Sequence, residues 1–153
     1  MKKKILFVCL GNICRSPAAQ GIMEKKSEGF DIEVESAGTA GYHVGALPDP
    51  RMRAHASKRG YSLNSHAQKF NPAIDFKRFD MIIAMDKDNL YDLRAMDRKQ
   101  EYGAKLSLMT DYCENIVADE VPDPYYEGPE GFEHVLDILE DACNGLLKKI
   151  EHG

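Results

Sequence analysis

The order of apolar and polar residues predicts four short strands separated by helices. Apolar runs at 4–9, 31–36, 79–85 and 106–109 have the length of strands, and the second of them alternates between apolar and polar residues. The first run is almost continuously apolar, which is typical of a strand buried on both faces of a parallel sheet. These runs therefore predict an interior sheet of parallel strands.

Helix signals fill the segments between the predicted strands. Ser16-Pro17 and Asp49-Pro50 each place proline in a first helical turn, and Asp86 is suited to cap the start of a third helix. The clearest amphipathic stripe runs from Phe132 to Ile150. Two remaining segments, a glycine-rich one at 37–48 and an acidic one at 110–131, are expected to be loops.

Alternation of strands and helices favours right-handed crossovers, and so an α/β fold with helices on both faces of the sheet. A chain of 153 residues is long enough for one domain with its own core, which we expect to span residues 1–153. In such folds ligands bind at the carboxyl ends of the strands. A ligand-binding or catalytic site is therefore expected in the segment that follows the first strand.

Charge and cysteine content narrow the function classes. The net charge of −5 predicts neither a nucleic-acid partner nor an anionic membrane surface. No apolar run reaches the roughly 18 residues of a membrane span. Four cysteines at positions 9, 14, 113 and 143 show neither disulfide nor zinc-site spacing, which favours a reducing, cytoplasmic setting without a metal or other cofactor.

The candidate chemistry lies in the segment Cys9-Leu-Gly-Asn-Ile-Cys-Arg-Ser-Pro, directly after the first strand. Five residues between Cys9 and Arg15 allow the backbone N–H groups to curl around a tetrahedral oxyanion. Gly11 and Asn12 tolerate the left-handed backbone angles that such a turn requires. Arg15 is able to grip two phosphoryl oxygens, and the start of the following helix favours a thiolate at Cys9. The segment is thus suited to attack on a phosphate monoester.

This loop, from Val8 to Pro17, closely resembles that of the low-molecular-weight protein tyrosine phosphatases, as does the distant motif Asp123-Pro124-Tyr125-Tyr126. The resemblance spans almost the whole chain. It implies a three-layer α/β/α fold whose four-stranded parallel sheet has the order 2-1-3-4, with the phosphate-binding loop after strand 1. It also implies a protein tyrosine phosphatase that hydrolyses phosphotyrosine monoesters through a phosphocysteine intermediate.

The resemblance also implies roles for individual residues. Cys9 is then the nucleophile, Arg15 binds the phosphoryl group, and Asp123 is the general acid and later the base. The loop that binds the substrate phosphate comprises Leu10, Gly11, Asn12, Ile13, Cys14, Arg15 and Ser16. The residues expected to support this loop are Asn12, Ser16, Ser36 and His66. The expected walls of an aromatic slot are Tyr42, Tyr125 and Tyr126.

The same resemblance suggests the partners. The substrate is a phosphotyrosine-containing protein, for which a tyrosine kinase is one candidate, and phosphate or sulfate is expected to bind in the loop. Exposed aromatic residues around a cleft are compatible with a monomer or a weak homodimer. Lys69 stands where the family has an arginine, so a contact of that arginine is expected to be weakened or replaced.

Three other functions are compatible with parts of this sequence. Thioredoxin-coupled arsenate reductases share the fold and loop but need two further cysteines close together, whereas Cys113 and Cys143 are thirty residues apart. Protein-arginine phosphatases carry a threonine where this chain has Ile13, whose bulk is better suited to an aromatic ring. A non-catalytic phosphopeptide-binding module predicts loss of the nucleophile or the acid, but Cys9 and Asp123 are both present.

Overall fold

Four parallel strands form the sheet of the computed structural model, which describes residues 2–153. The strands are β1 (Lys3–Cys9), β2 (Ile32–Gly38), β3 (Met81–Ala84) and β4 (Leu106–Leu108). Their order across the sheet is β2-β1-β3-β4, and every neighbouring pair is parallel. The predicted α/β fold with strand order 2-1-3-4 is therefore confirmed.

Helices cover both faces of this sheet. They are α1 (Arg15–Lys26), α2 (Pro50–Lys58), α3 (Asp75–Arg78), α4 (Lys87–Met96) and α5 (Pro129–His152). Two short 3-10 turns, Gly103–Lys105 and Met109–Tyr112, flank β4. The second of these turns lies at the start of the segment predicted to be a loop.

The alternating side chains of β1 divide the core into two clusters. Ile5, Phe7 and Cys9 belong to the cluster that includes buried residues of α1 and α5. Leu6 and Val8 face the opposite side and join the cluster formed with α4 and the phenylalanines around α3. Because successive strand residues point to opposite faces, a continuously apolar strand serves two cores at once, as the sequence predicts.

Capping residues define the starts of two helices that border the site. The carboxylate of Asp49 accepts a hydrogen bond from the backbone N–H of Arg51 at 2.8 Å, and Pro50 occupies the first position of α2. Asp86 and Asn89 form a reciprocal capping box at the start of α4. Both caps are predicted by the sequence, and they fix where these helices begin beside the sheet.

The ends of three elements differ from the sequence prediction. β2 continues to Gly38 because this residue pairs with Cys9 in the sheet. β3 is confined to four residues, while Phe79 packs in the core just before it. α5 begins at Pro129, before its apolar stripe, since proline is favourable in the first turn of a helix. Within residues 2–153, no helix has both the length and the apolar composition that crossing a bilayer demands.

Candidate active site

The loop between β1 and α1 turns its carbonyl groups away from its centre. The carbonyl oxygen of Leu10 accepts a hydrogen bond from Ala40 at 2.9 Å, and that of Ile13 accepts one from Asp49 at 2.6 Å. In a planar trans peptide the N–H group points opposite to the carbonyl. The N–H groups that follow these two carbonyls therefore face the inside of the loop, where an anion would bind.

Asn12 holds the loop in this shape from behind. Its backbone is left-handed, with φ of 57°, and its side chain is buried. The amide nitrogen donates to the hydroxyls of Ser16 and Ser36 at 2.7 and 2.9 Å, and the amide oxygen accepts from the backbone N–H of Gln68 at 3.0 Å. The hydroxyl of Ser36 in turn donates to Gln20 at 2.6 Å. The structure thus places Asn12, Ser16 and Ser36 in one network, as expected.

Ser16 connects this network to the sulfur of Cys9. The two side-chain atoms, Oγ and Sγ, are 2.9 Å apart and both residues are buried. Since the Ser16 oxygen already accepts a hydrogen from Asn12, its own proton is free to be donated to the sulfur. The sulfur also lies at the end of β1, close to the N-terminus of α1. A hydroxyl donor and a helix N-terminus both stabilise negative charge in their neighbourhood.

Arg15 is buried at the start of α1 and is held from one side. Its Nη1 donates to a carboxylate oxygen of Asp86 at 2.6 Å and to the carbonyl of Val121 at 3.1 Å. Burial by itself lowers the pKa of Arg15, but the neighbouring Cys9 and Asp86 outweigh it and the net shift is upward. These contacts leave Nε and Nη2 available for an anion. Sequence reasoning identified Asp86 as a cap and missed its contact with Arg15.

Asp123 reaches the same site from the acidic loop. This loop is tied to the carboxyl end of the sheet by a backbone hydrogen bond of 2.8 Å between Val121 and Met85. Asp123 is exposed, and one of its carboxylate oxygens accepts from the backbone N–H of Tyr125 at 3.0 Å. The carboxylate and the Cys9 sulfur therefore belong to one cavity although they are far apart in sequence.

That cavity has a volume of about 310 Å³. Its lining residues are Cys9, Leu10, Gly11, Ile13, Cys14, Arg15, Tyr42, His43, Asp123, Tyr125 and Tyr126. The predicted aromatic residues are all present at its rim, and Tyr125 and Tyr126 contact each other edge to face with ring centres 4.9 Å apart. His43 was missed by sequence reasoning, because a lone histidine in a glycine-rich loop carries no distinctive signal.

His66 does not support the loop in the way that the sequence led us to expect. It is exposed, and its Nδ1 lies 3.3 Å from the carbonyl oxygen of Gly45. The backbone of Gln68 takes the expected place, since it donates to Asn12. Because almost any residue type offers a backbone N–H that can donate this hydrogen bond, the residue type at position 68 does not predict the contact. The side chain of Lys69, which stands where the family has an arginine, lies against Gly41.

The other cysteines have environments that keep their thiols protonated. Burial, and then the nearby Cys9, raises the pKa of Cys14 well above its usual range. Burial also raises the pKa of Cys143 strongly and that of Cys113 to about 11. All four cysteines are free. Nowhere in the range 2–153 do three or more His, Cys, Asp or Glu side chains come together as a metal site would require.

A second cleft is larger but offers no comparable chemistry. Its volume is about 620 Å³, and it lies between residues 72–77 and 95–102. Its lining contains no cysteine or histidine. Size alone would favour this cleft, but the convergence of a thiol, a guanidinium and a carboxylate identifies the smaller cavity as the candidate active site.

Comparison of sequences gives the same family throughout. Residues 4–153 match the family described as low molecular weight phosphotyrosine protein phosphatase. A Synechocystis protein is 50% identical over 151 residues, which cover 96% of each chain. A low molecular weight protein-tyrosine-phosphatase from Streptomyces coelicolor is 38% identical over 156 residues, covering 98% of this chain and 94% of its own.

Comparison with solved structures also finds phosphatases. A protein tyrosine phosphatase from Entamoeba histolytica, crystallised with Hepes in its active site, superposes with a TM-score of 0.93 at 48% identity, covering 99% of both chains. A drosophila arginine phosphatase superposes with a TM-score of 0.88 at 31% identity, covering 98% of both chains. The two similar structures thus carry names for different phosphorylated substrates.

Proposed function

The chain belongs to the low molecular weight phosphotyrosine protein phosphatases, and on this basis we propose that Cys9, Arg15 and Asp123 carry out the hydrolysis of phosphotyrosine. The observation that supports these roles is the opening of all three side chains onto one cavity at the carboxyl edge of the sheet. The protein is a phosphoric monoester hydrolase of the tyrosine phosphatase class.

In the first step the phosphoryl group binds within the loop. The inward N–H groups, the N-terminus of α1 and Arg15 together stabilise the charge on its oxygens. The Cys9 thiolate attacks phosphorus, and the bond between phosphorus and the tyrosine oxygen breaks. Asp123 donates its proton to the departing phenolate, which is a poor leaving group without an acid.

In the second step water removes the phosphoryl group from sulfur. Asp123, now a carboxylate, takes a proton from the water as its oxygen attacks phosphorus. The phosphorus–sulfur bond breaks, and phosphate leaves together with the regenerated Cys9 thiolate. The hydroxyl of Ser16, 2.9 Å from the sulfur, stabilises the thiolate as it departs by donating a hydrogen bond.

The rim of the cavity supports the choice of an aromatic substrate. Tyr42, Tyr125 and Tyr126 offer faces and edges on which a phenyl ring can stack. A phosphotyrosine side chain is long enough to place its phosphate in the loop while its ring contacts this rim. The substrate would be a phosphotyrosine-containing protein, such as a tyrosine kinase. Free cysteines support a reducing compartment, the cytoplasm, as the place of action.

The role of Asp123 is tested by replacing Asp123 with alanine and varying the leaving group. We expect kcat/KM for phenyl phosphate, a phenolate leaving group like that of tyrosine, to fall by roughly 10²–10³-fold. For p-nitrophenyl phosphate, whose leaving group needs less protonation, we expect a loss below about tenfold. Asp119→Ala is the matched control, since this exposed residue of the same loop does not line the cavity. An equal loss for both substrates would show that Asp123 is not the acid.

A further inference from the structure

Arg51 extends from the first turn of α2 to the segment that carries Asp123. Its Nη1 donates a hydrogen bond to the carbonyl oxygen of Tyr125 at 3.1 Å. The guanidinium carbon lies 5.2 Å from the centre of the Tyr125 ring and 4.9 Å from that of Phe132. Both distances are within the range of a cation–π contact. Arg51 therefore holds Tyr125 by its backbone and by its ring.

Asp49 fixes the position of Arg51 and connects it to the phosphate-binding loop. Its carboxylate accepts from Nε and Nη2 of Arg51 at 3.2 and 3.0 Å, a two-point contact of the kind that gives arginine a defined orientation. Burial alone raises the pKa of Asp49, but the hydrogen bonds from Arg51 outweigh it, so the net shift is downward. The backbone N–H of Asp49 donates to Ile13 at 2.6 Å.

Tyr125 in turn restrains the position of Asp123, the candidate acid. Its backbone N–H donates to a carboxylate oxygen of Asp123 at 3.0 Å, with Pro124 as the single residue between them. The fixed φ of proline limits how far the two neighbours can move independently. The chain before Asp123 is anchored separately by the hydrogen bond between Val121 and Met85. Arg51 thus anchors the chain after Asp123, through Tyr125.

We propose that Arg51 is a positioning residue that keeps the Asp123 carboxyl group in place for proton transfer, by holding Tyr125. The inference rests on the proposed role of Asp123 as general acid. Arg51 itself does not line the cavity. Its loss should therefore reduce proton donation while it leaves phosphate binding intact.

The test compares Arg51→Ala with the unaltered protein on two aryl phosphates. We expect kcat/KM for phenyl phosphate to fall about tenfold or more, because small displacements of a catalytic group are costly. We expect a change below about threefold for p-nitrophenyl phosphate, and an inhibition constant for inorganic phosphate within about twofold. Arg51→Lys should recover part of the loss, since lysine keeps the charge but not the two-point contact.

Arg53→Ala is the matched control, because it removes an exposed arginine from the same helix and should alter neither substrate. Thermal unfolding checks that each variant is folded, because Arg51 is half exposed but its loss leaves the buried carboxylate of Asp49 without this partner. The double variant of Arg51 and Asp123 should be no slower on phenyl phosphate than Asp123→Ala alone.

Equal losses on both substrates, or a phosphate inhibition constant raised about tenfold, would overturn the inference, because Arg51 would then act on the phosphate-binding loop. Unchanged kinetics in Arg51→Ala would also overturn it. In both cases Asp123→Ala would still show its selective loss on phenyl phosphate if the proposed acid is correct. A failure of the proposed acid is recognised separately, by equal losses on both substrates in Asp123→Ala itself.

Discussion

At the scale of single residues, the site is specified by hydrogen-bond direction as much as by residue type. The amide nitrogen of Asn12 can only donate hydrogen bonds, so the hydroxyls of Ser16 and Ser36 must both accept from it. Ser36 then donates to Gln20, and Ser16 is left to donate to the Cys9 sulfur. A chain of buried donors and acceptors therefore ends at the Cys9 sulfur, the proposed nucleophile, where a donor stabilises negative charge.

Ile13 is the residue we expect to distinguish phosphotyrosine from phosphoarginine. Its half-buried side chain lines the cavity, and its bulk favours an aromatic ring over a planar guanidinium phosphate. We predict that Ile13→Thr raises kcat/KM for phosphoarginine relative to phosphotyrosine by about tenfold or more. The measurement is release of phosphate from the two free phosphoamino acids by the same enzyme preparation.

The control for this comparison is p-nitrophenyl phosphate, on which the Ile13 variant should retain most of its activity. A variant that loses activity equally on all three compounds would be damaged in the loop itself, whose shape depends on the Ile13 carbonyl and Asp49. An unchanged ratio between phosphotyrosine and phosphoarginine would contradict the role of Ile13 in selecting the substrate.

At the scale of elements, α5 anchors the first part of the acidic loop through Asp141. Its buried carboxylate accepts hydrogen bonds from the backbone N–H groups of Glu114, Asn115 and Ile116, at 3.1, 3.0 and 2.8 Å from one oxygen. Burial by itself raises the pKa of Asp141, but these hydrogen bonds outweigh it and the net shift is downward. The loop that later carries Asp123 is thus fixed to the core at its start.

A lowered pKa in the folded protein gives a definite sign to the pH dependence of stability. The contribution of Asp141 is complete above the pKa of about 3.9 that an unfolded aspartate has, and is lost as the pH falls through the lower folded value. We predict that Asp141→Asn lowers the free energy of unfolding by about 1–2 kcal/mol at pH 7. Urea unfolding followed at several pH values measures this loss.

The difference between Asp141→Asn and the unaltered protein should shrink as the pH is lowered below about 4, since the carboxyl group of the unfolded state then takes up a proton, and it should be smallest below the lower folded pKa, where the folded carboxyl is neutral as well. Glu151→Gln, an exposed substitution near the end of α5, is the control and should shift stability little. A difference that stays constant from pH 7 to pH 3 would contradict an ionised Asp141 as the anchor of the loop.

At the scale of the whole molecule, the parallel sheet brings three distant segments to one edge. The end of β1 and the start of α1 supply Cys9 and Arg15, the segment after β2 supplies Tyr42, and the chain that hydrogen-bonds to the end of β3 leads to Asp123. In the proposed mechanism, local N–H groups, a helix N-terminus and one buried guanidinium form the anion site although the net charge of the chain is −5. Binding of phosphate would thus depend on the local electric field and not on the net charge.

The sequence predicted those parts of the molecule whose cause is local. Periodicity predicted the alternating strands and helices, spacing singled out the compact motif around Cys9, and the resemblance to a known family implied the strand order. The contact of Asp86 with Arg15 and the support from Gln68 depend on tertiary placement, which no spacing in the chain reveals. His66 was misjudged for the same reason, because its position next to supporting residues does not determine where its side chain points.

In the proposed mechanism, hydrolysis passes through a phosphorylated Cys9 whose breakdown depends on Asp123. The most direct test is to mix Asp123→Ala with p-nitrophenyl phosphate, quench during turnover with alkaline denaturant, and locate phosphorus by 31P NMR and peptide mass analysis. We predict a phosphorus–sulfur bond at Cys9, more abundant than in the unaltered protein, retained in Cys14→Ser and absent in Cys9→Ser. The mechanism would be contradicted if phosphorus were found on another residue. It would also be contradicted if the enzyme hydrolysed the substrate without any phosphorylated protein being detected.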